Sequence, residues 1–434
     1  MVKDMTAGSP AKLIVRFALP LMLGNLFQQF YSMVDAVIVG RYLGKNPLAA
    51  VGSTSSLNFL IIGFCLGLCA GFAIPVAQRF GAKETDELRR FVGNIVWLAV
   101  GFSVLLVALT VVLCRPMLLA MSTPPDIIDD AYRYIVIIFA GIPATFFYNI
   151  LASLLRALGD SKTPVFFLVL AAVLNIGLDL LLVVVLPLGV SGAAIATVAA
   201  QACSVVFAVI LLMKKQLPFE ITKKDFRLNI QCQRFLEIGL PLALQEFLTQ
   251  ISFLALCAFV NRLGLEASSG YGVACKIVNF AMLVPSALMQ SMASFVSQNV
   301  GAGKLKRARQ SMLTGIGVGL VVGCFVFALV MLKGDVLTGF FSTDEAVIQN
   351  GFAYLKGFAP ETIVTAVLFS MIGYFNGNNK TVWVMTQGLI QTLLIRLPFA
   401  YIMSIQPNAS LTMIGLAALV STMVGIILNV GFFT

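Results

Sequence analysis

Four side chains in this sequence combine type and position in a way that could do chemistry: Asp35, Asn175, Asp179 and Thr197. Each interrupts a long apolar run, where an ionisable or strongly polar group is costly and marks function. Asp35 lies about six residues before Arg41, Asp179 about eight before Pro187, and Thr197 about eight after Gly189. At about 1.5 Å per helical residue these groups sit roughly 9–18 Å below one membrane surface. Asn175 and Asp179 are spaced i and i+4 and so project from one helix face. Two carboxylates, an amide and a hydroxyl supply only oxygen ligands and hydrogen-bond partners, a set suited to a hard cation or a shared proton. Two close carboxylates resist double ionisation unless a proton or cation lies between them. Binding would then switch the local charge, as coupling requires. The alternative is two structural carboxylates, each bonded to its own neighbour. Glu246 and Glu361 also fall inside apolar runs. They could attract a cationic substrate, or pair with Lys276, Lys356 or Arg396.

The elements that carry these residues are spans. Of 434 residues, 59% are hydrophobic and only 11% charged, against roughly 25% charged in a soluble domain. Apolar blocks lie at about 14–40, 50–78, 91–114, 132–156, 164–187, 190–213, 235–261, 270–297, 312–332, 348–375, 381–404 and 411–433. Each approaches the length a membrane helix needs, so the fold class is an all-α membrane protein with twelve transmembrane helices. The first block contains Asp35 and is too long for a signal peptide. Ser9-Pro10 before it reads as a helix start.

Several function classes fall away. With no His, a His-based triad or a His-liganded zinc site is excluded. The eight Cys are scattered, form no C-x-x-C and read as small buried hydrophobes. There is no P-loop motif, which argues against transport driven by the chain's own ATP hydrolysis. Sorting Lys and Arg by loop gives 20 on one side and 6 on the other. The richer side is cytoplasmic by the positive-inside rule, with both termini inside. Basic loops beside anionic headgroups account for the net charge of +10, with no nucleic acid needed.

The chain repeats itself. Ala18-Leu-Pro-Leu21 recurs as Gly239-Leu-Pro-Leu242 at offset 221, and Ala77-Gln-Arg-Phe-Gly-Ala82 as Ser297-Gln-Asn-Val-Gly-Ala302 at offset 220. Gly159-Asp-Ser-Lys-Thr163 recurs as Gly377-Asn-Asn-Lys-Thr381 at offset 218. Three ordered matches predict two homologous six-helix lobes, 1–213 and 235–434, joined by a basic cytoplasmic linker over 214–234. An even number of spans gives both lobes the same orientation, an arrangement that suits alternating access. Pro20, Pro75, Pro143, Pro241, Pro285 and Pro360 fall within spans and predict kinks.

The sequence resembles the multidrug and toxic compound extrusion (MATE) family along essentially its whole length. The resemblance rests on Ala18-Leu-Pro-Leu-Met22, Tyr31-Ser-Met-Val-Asp-Ala-Val-Ile-Val-Gly-Arg41 and Gln78-Arg-Phe-Gly-Ala82. It extends through Arg156-Ala-Leu-Gly-Asp-Ser-Lys-Thr-Pro164, Asn175-Ile-Gly-Leu-Asp179 and Gly192-Ala-Ala-Ile-Ala-Thr197. It implies a multi-pass cell-membrane antiporter, not an enzyme, that exports varied and often cationic organic compounds against H⁺ or Na⁺ and needs no cofactor. The pattern is most similar to the DNA-damage-inducible branch, which implies a cation site at Asp35, Asn175, Asp179 and Thr197. It also implies that Gln28, Tyr31 and Asn149 line the same cavity. Glu246 and Glu361 have no secure counterpart in that pattern. The chain stops at Thr434 as its last span closes, without a basic tail.

The protein is expected to work as a monomer within the bilayer. A lipid-linked precursor flippase of the same superfamily is the alternative, but it would want cavity arginines for a pyrophosphate. The first lobe offers carboxylates instead. A membrane-embedded aspartyl-type enzyme is a more remote alternative.

Overall fold

The computed structural model describes residues 3–121, 123–214, 222–227 and 231–433, and among them there is no strand. Residues 215–221 and 228–230 of the expected linker, and Thr434, lie outside the described residues. The first half contains α1 (Pro10–Tyr42), α2 (Lys45–Gly81), α3 (Thr85–Ala120), α4 (Pro125–Ala140), α5 (Ile142–Ala157), α6 (Lys162–Asp179) and α7 (Gly189–Lys214). The second contains α8 (Gln231–Asn261), α9 (Leu265–Ala281), α10 (Leu283–Gly301), α11 (Leu305–Gly339) and α12 (Glu345–Phe358). It closes with α13 (Glu361–Gly377), α14 (Thr381–Leu389), α15 (Leu397–Ser404) and α16 (Leu411–Phe433). Eight helices are long and apolar enough to cross a membrane, and up to eleven spans result when each of three bent pairs counts once. The eleventh block, 381–404, is α14, a π-helical stretch Ile390–Arg396 and α15 in succession, each too short to cross alone.

Three of the six span prolines mark the breaks. The chain bends by 46° between α4 and α5, 40° between α9 and α10, and 50° between α12 and α13. Pro143, Pro285 and Pro360 stand at or just after those breaks, while Pro20, Pro75 and Pro241 lie inside unbroken helices. Proline removes one backbone donor, and that loss alone does not break a long helix. At the first bend Gly141 supplies the rest: a Cβ there would lie 2.3 Å from Val198 Cγ2. The two π-helical stretches, Leu180–Val185 and Ile390–Arg396, each lead into a proline, Pro187 and Pro398.

The two halves repeat each other's turns. Left-handed backbone occurs at Gly44 and Gly264, at Lys83 and Gly303, and at Gly159 and Asn379, three pairs each separated by 220 residues. The chain divides into two compact units: 1–4 with 23–243, and 5–22 with 244–434. The division falls inside α1 and α8, two residues after Pro20 and Pro241 respectively.

Within the first unit, α2 and the start of α8 approach closely. A Cβ on Gly71 would lie 2.4 Å from Gly239 Cα, and one on Gly67 2.6 Å from Ala243 Cα. Small residues four apart on each helix let the backbones touch. Phe72, Phe91 and Phe235 pack edge to face beside this seam, with centroids 5.1–5.5 Å apart. In the second unit Tyr271, Tyr354 and Phe358 anchor the core. The outer faces remain apolar: Val112, Val321 and Leu332 are each more than 70% exposed. Such faces are destabilising in water and at home in lipid.

Candidate functional site

All four residues of the expected cation site converge in the first unit. Asp35 comes from α1, Asn175 and Asp179 from α6, and Thr197 from α7. Asp179 is the last α-helical residue before the π stretch Leu180–Val185, the kind of local widening that recurs at functional sites. Asp179 and Asn175 are fully buried. With its amide placed so that both ends are satisfied, Asn175 Nδ2 donates to Asp179 Oδ2 at 2.8 Å. Its Oδ1 then accepts from the Thr197 N–H at 3.1 Å and lies 3.3 Å from the Thr197 hydroxyl. That hydroxyl is also 3.1 Å from the Ala193 carbonyl, so its single proton serves one acceptor at a time.

The carboxylates of Asp35 and Asp179 stand within hydrogen-bonding reach of each other. Two ionised carboxylates would repel at that separation; a shared proton or a cation between them removes the repulsion. Asp35 Oδ1 and Asp179 Oδ1 are both sealed from solvent and without a partner among the described residues. Buried polar atoms are normally satisfied, so this donor set fits a proton or a single hard cation. Nowhere among the described residues do three His, Cys, Asp or Glu side chains gather.

Tyr31 joins the cluster. One turn before Asp35, its hydroxyl meets Thr197 and feels both carboxylates. Sequence reasoning missed Tyr134 of α4, which is buried and close enough to Asp35, Asp179 and Tyr31 to feel their charge. The available signal was its place on the face of α4 that buries Ile127, Ala131, Ile135 and Ile138. The other expected residues lie less centrally. Gln28 shares the helix face of Tyr31 and Asp35 but is exposed. Asn149 turns its amide back to the Thr145 carbonyl at 2.8 Å, while the Thr145 hydroxyl donates to Gln201 of α7.

The second unit holds the remaining two acids. Glu246 on α8 is half-buried and forms no ion pair among the described residues. Glu361 on α13 accepts from the Thr422 hydroxyl at 3.0 Å and feels the charge of Arg396. Lys276 and Lys356 pair with neither acid; they lie over the Phe341 and Phe352 rings, at 5.5 Å and 4.1 Å. Offset 221 carries Asp35 to Leu256 and Tyr31 to Ser252, so the second half does not repeat the carboxylate site.

A family model described as MatE matches the chain twice, over residues 20–181 and 241–402. The "Probable multidrug resistance protein YpnP" of Bacillus subtilis (strain 168) is 29% identical over 402 residues, spanning 92% of this chain and 90% of the relative. The "Probable multidrug resistance protein YoeA" of the same strain is 28% identical over 341 residues, covering 76% of this chain and 73% of its own. The fold is that of a crystal structure of MATE in complex with MaL6. That structure is 24% identical with a TM-score of 0.91, covering 99% of this chain and 96% of that one.

Proposed function

The chain belongs to the MatE family, and from that membership we propose that it is a secondary active antiporter exporting small organic compounds, often cationic, in exchange for H⁺ or Na⁺. It is a multi-pass membrane protein of a transporter family. The observation that carries the coupling assignment is the meeting of Asp35 and Asp179, each with an unsatisfied buried oxygen, beside Asn175, Thr197 and Tyr31. H⁺ or Na⁺ arriving from outside binds between the two carboxylates. The Asn175 amide holds Asp179 Oδ2, so the ion meets a fixed oxygen. Tyr134, buried nearby, feels the charge of both carboxylates.

Neutralising the pair weakens its hold on a cationic substrate and favours return to the inward-facing state. Each positive charge carried inward gains about 2.3 kcal/mol per 100 mV of membrane potential. Linkage then requires that substrate binding weaken ion binding by the same factor. Gln28, Tyr31, Asn149, Glu246 and Glu361 are assigned to substrate. Both termini are cytoplasmic on the basic-loop count, and the chain works as a monomer because the site is complete within it.

The test is efflux of a fluorescent organic cation from proteoliposomes, driven separately by a pH gradient and a Na⁺ gradient. The gradient that drives efflux names the coupling ion. Asp35→Asn is expected to abolish driven efflux; wild-type rates in that variant overturn the site assignment.

A further inference from the structure

The second unit carries a polar cluster that the coupling site does not use. Glu361 Oε1 accepts from the Thr422 hydroxyl at 3.0 Å, while its Oε2 is sealed from solvent and unpartnered among the described residues. Behind Thr422 a relay continues. Gln391 Nε2 donates to Thr422 Oγ1 at 3.5 Å, and Gln387 Nε2 donates to Gln391 Oε1 at 2.5 Å. Gly425 makes room for these amides, since a Cβ there would lie 2.5 Å from Gln391 Oε1. Every donor points the same way along the relay, which fixes the Glu361 carboxylate with one oxygen occupied and the other buried without a partner.

A cation stands close by without closing on it. Arg396, the last residue of its π stretch, feels the charge of Glu361. No ion pair joins them among the described residues. The guanidinium instead lies over the Phe253 ring at 4.7 Å, near the Tyr354 hydroxyl. Its Nε is buried without a partner. Phe253 is 40% exposed, so the ring that covers Arg396 borders open space. One donor and one acceptor of opposite charge are thus left unmet within one cluster, at membrane depth, where such groups are expensive.

We infer that Arg396 and Glu361 form a substrate subsite for zwitterions: an acidic group of the ligand on Arg396 Nε and an ammonium on Glu361 Oε2, with an aromatic body against Phe253. A simple cation would satisfy Glu361 but face the Arg396 charge, and a simple anion would meet the reverse conflict. A molecule carrying both charges answers both groups at once. The inference rests on reading the chain as an exporter of small molecules, and it does not use the Asp35–Asp179 site.

Three matched probes test it on the full chain in lipid nanodiscs: naphthylalanine, its methyl ester, which keeps only the ammonium, and its N-acetyl derivative, which keeps only the carboxylate. Calorimetry is expected to show naphthylalanine bound at least about tenfold tighter than either derivative, the scale of one charged hydrogen bond. Arg396→Gln removes the preference over the ester, and Glu361→Gln removes the preference over the N-acetyl form. Arg396→Lys, which keeps the charge and replaces an unstable Arg396→Gln if needed, retains part of it. Asp35→Asn does not abolish the preference even where driven efflux is lost, which separates this inference from the coupling assignment. Equal binding of the three probes, or a preference that survives both neutral variants, overturns it.

Discussion

At the pair formed by Asp35 and Asp179, a hydroxyl that the sequence did not single out shares the ground with the carboxylates. Replacing Tyr134 with Phe takes away that hydroxyl and leaves the ring. Tyr134 is buried and close enough to feel both carboxylates, so removing its hydroxyl dipole by Tyr134→Phe is expected to weaken ion affinity severalfold. The ion concentration giving half-maximal driven efflux measures this. Asp35, Asp179, Asn175 and Thr197 were legible because so few polar side chains interrupt the spans. Tyr134 was not, because a tyrosine beside Arg133 near a span end reads as an interfacial aromatic. Arg396 was legible as a charge but not as the cover-mate of Phe253, since their pairing joins α8 to a distant span. A different acid governs stability. Burial opposes ionisation of Asp160 at the start of α6, but hydrogen bonds, those from Thr163 among them, outweigh burial and hold its carboxyl below the usual range. Its stabilising contribution is full above the unfolded value of about 3.9 and fades as pH falls through the lower folded value. Asp160→Asn is therefore expected to lower the thermal midpoint in detergent at pH 7, by about 1–2 kcal/mol in stability. The gap to wild type should narrow progressively below about pH 4.

Among the elements, the apolar blocks located the spans, because length and hydropathy are what a bilayer selects. Breaks were harder to place. Proline predicted six kinks, and three of the six, Pro143, Pro285 and Pro360, stand at breaks between helices. A missing donor is a local fact, whereas a bend also needs neighbours that accept it, as Val198 does at Gly141. The π-helical stretches carry no pattern that hydropathy detects. The seam between α2 and the start of α8 permits a direct test. At Gly71 a side chain would collide with Gly239 backbone, which no rotamer relieves. Gly71→Val is expected to destabilise by about 1–3 kcal/mol or more. Gly101→Ala on α3, where a Cβ meets nothing within 4 Å, should not lower the thermal midpoint, since alanine favours a helix interior over glycine.

For the whole molecule, the duplication was legible in three short matches, and the turns at 220-residue spacing give it backbone form. The specialisation of the halves was legible only through residues that fail to repeat, such as Leu256 at the place of Asp35. Orientation rests on charge counting and has its own test. In a background without the eight native Cys, single Cys at the exposed positions Lys45 and Lys333 should react with an impermeant maleimide on intact cells. Cys at Lys162 and Lys306, also exposed, should react only after permeabilisation. The reverse pattern would invert the topology. The division inside α1 and α8 bears on how such a chain can be cut. Severed between its halves, each fragment would keep a stretch of helix that belongs to the other's compact unit and lack one of its own. Neither fragment is then an autonomous folding unit, and the two should regain a native state only when made together. A single-half ancestor, under the same constraint, would complete its fold by exchanging the opening stretch of its first helix with a twin, as domain-swapped dimers do. Gene fusion would have turned that exchange between molecules into one within a single chain.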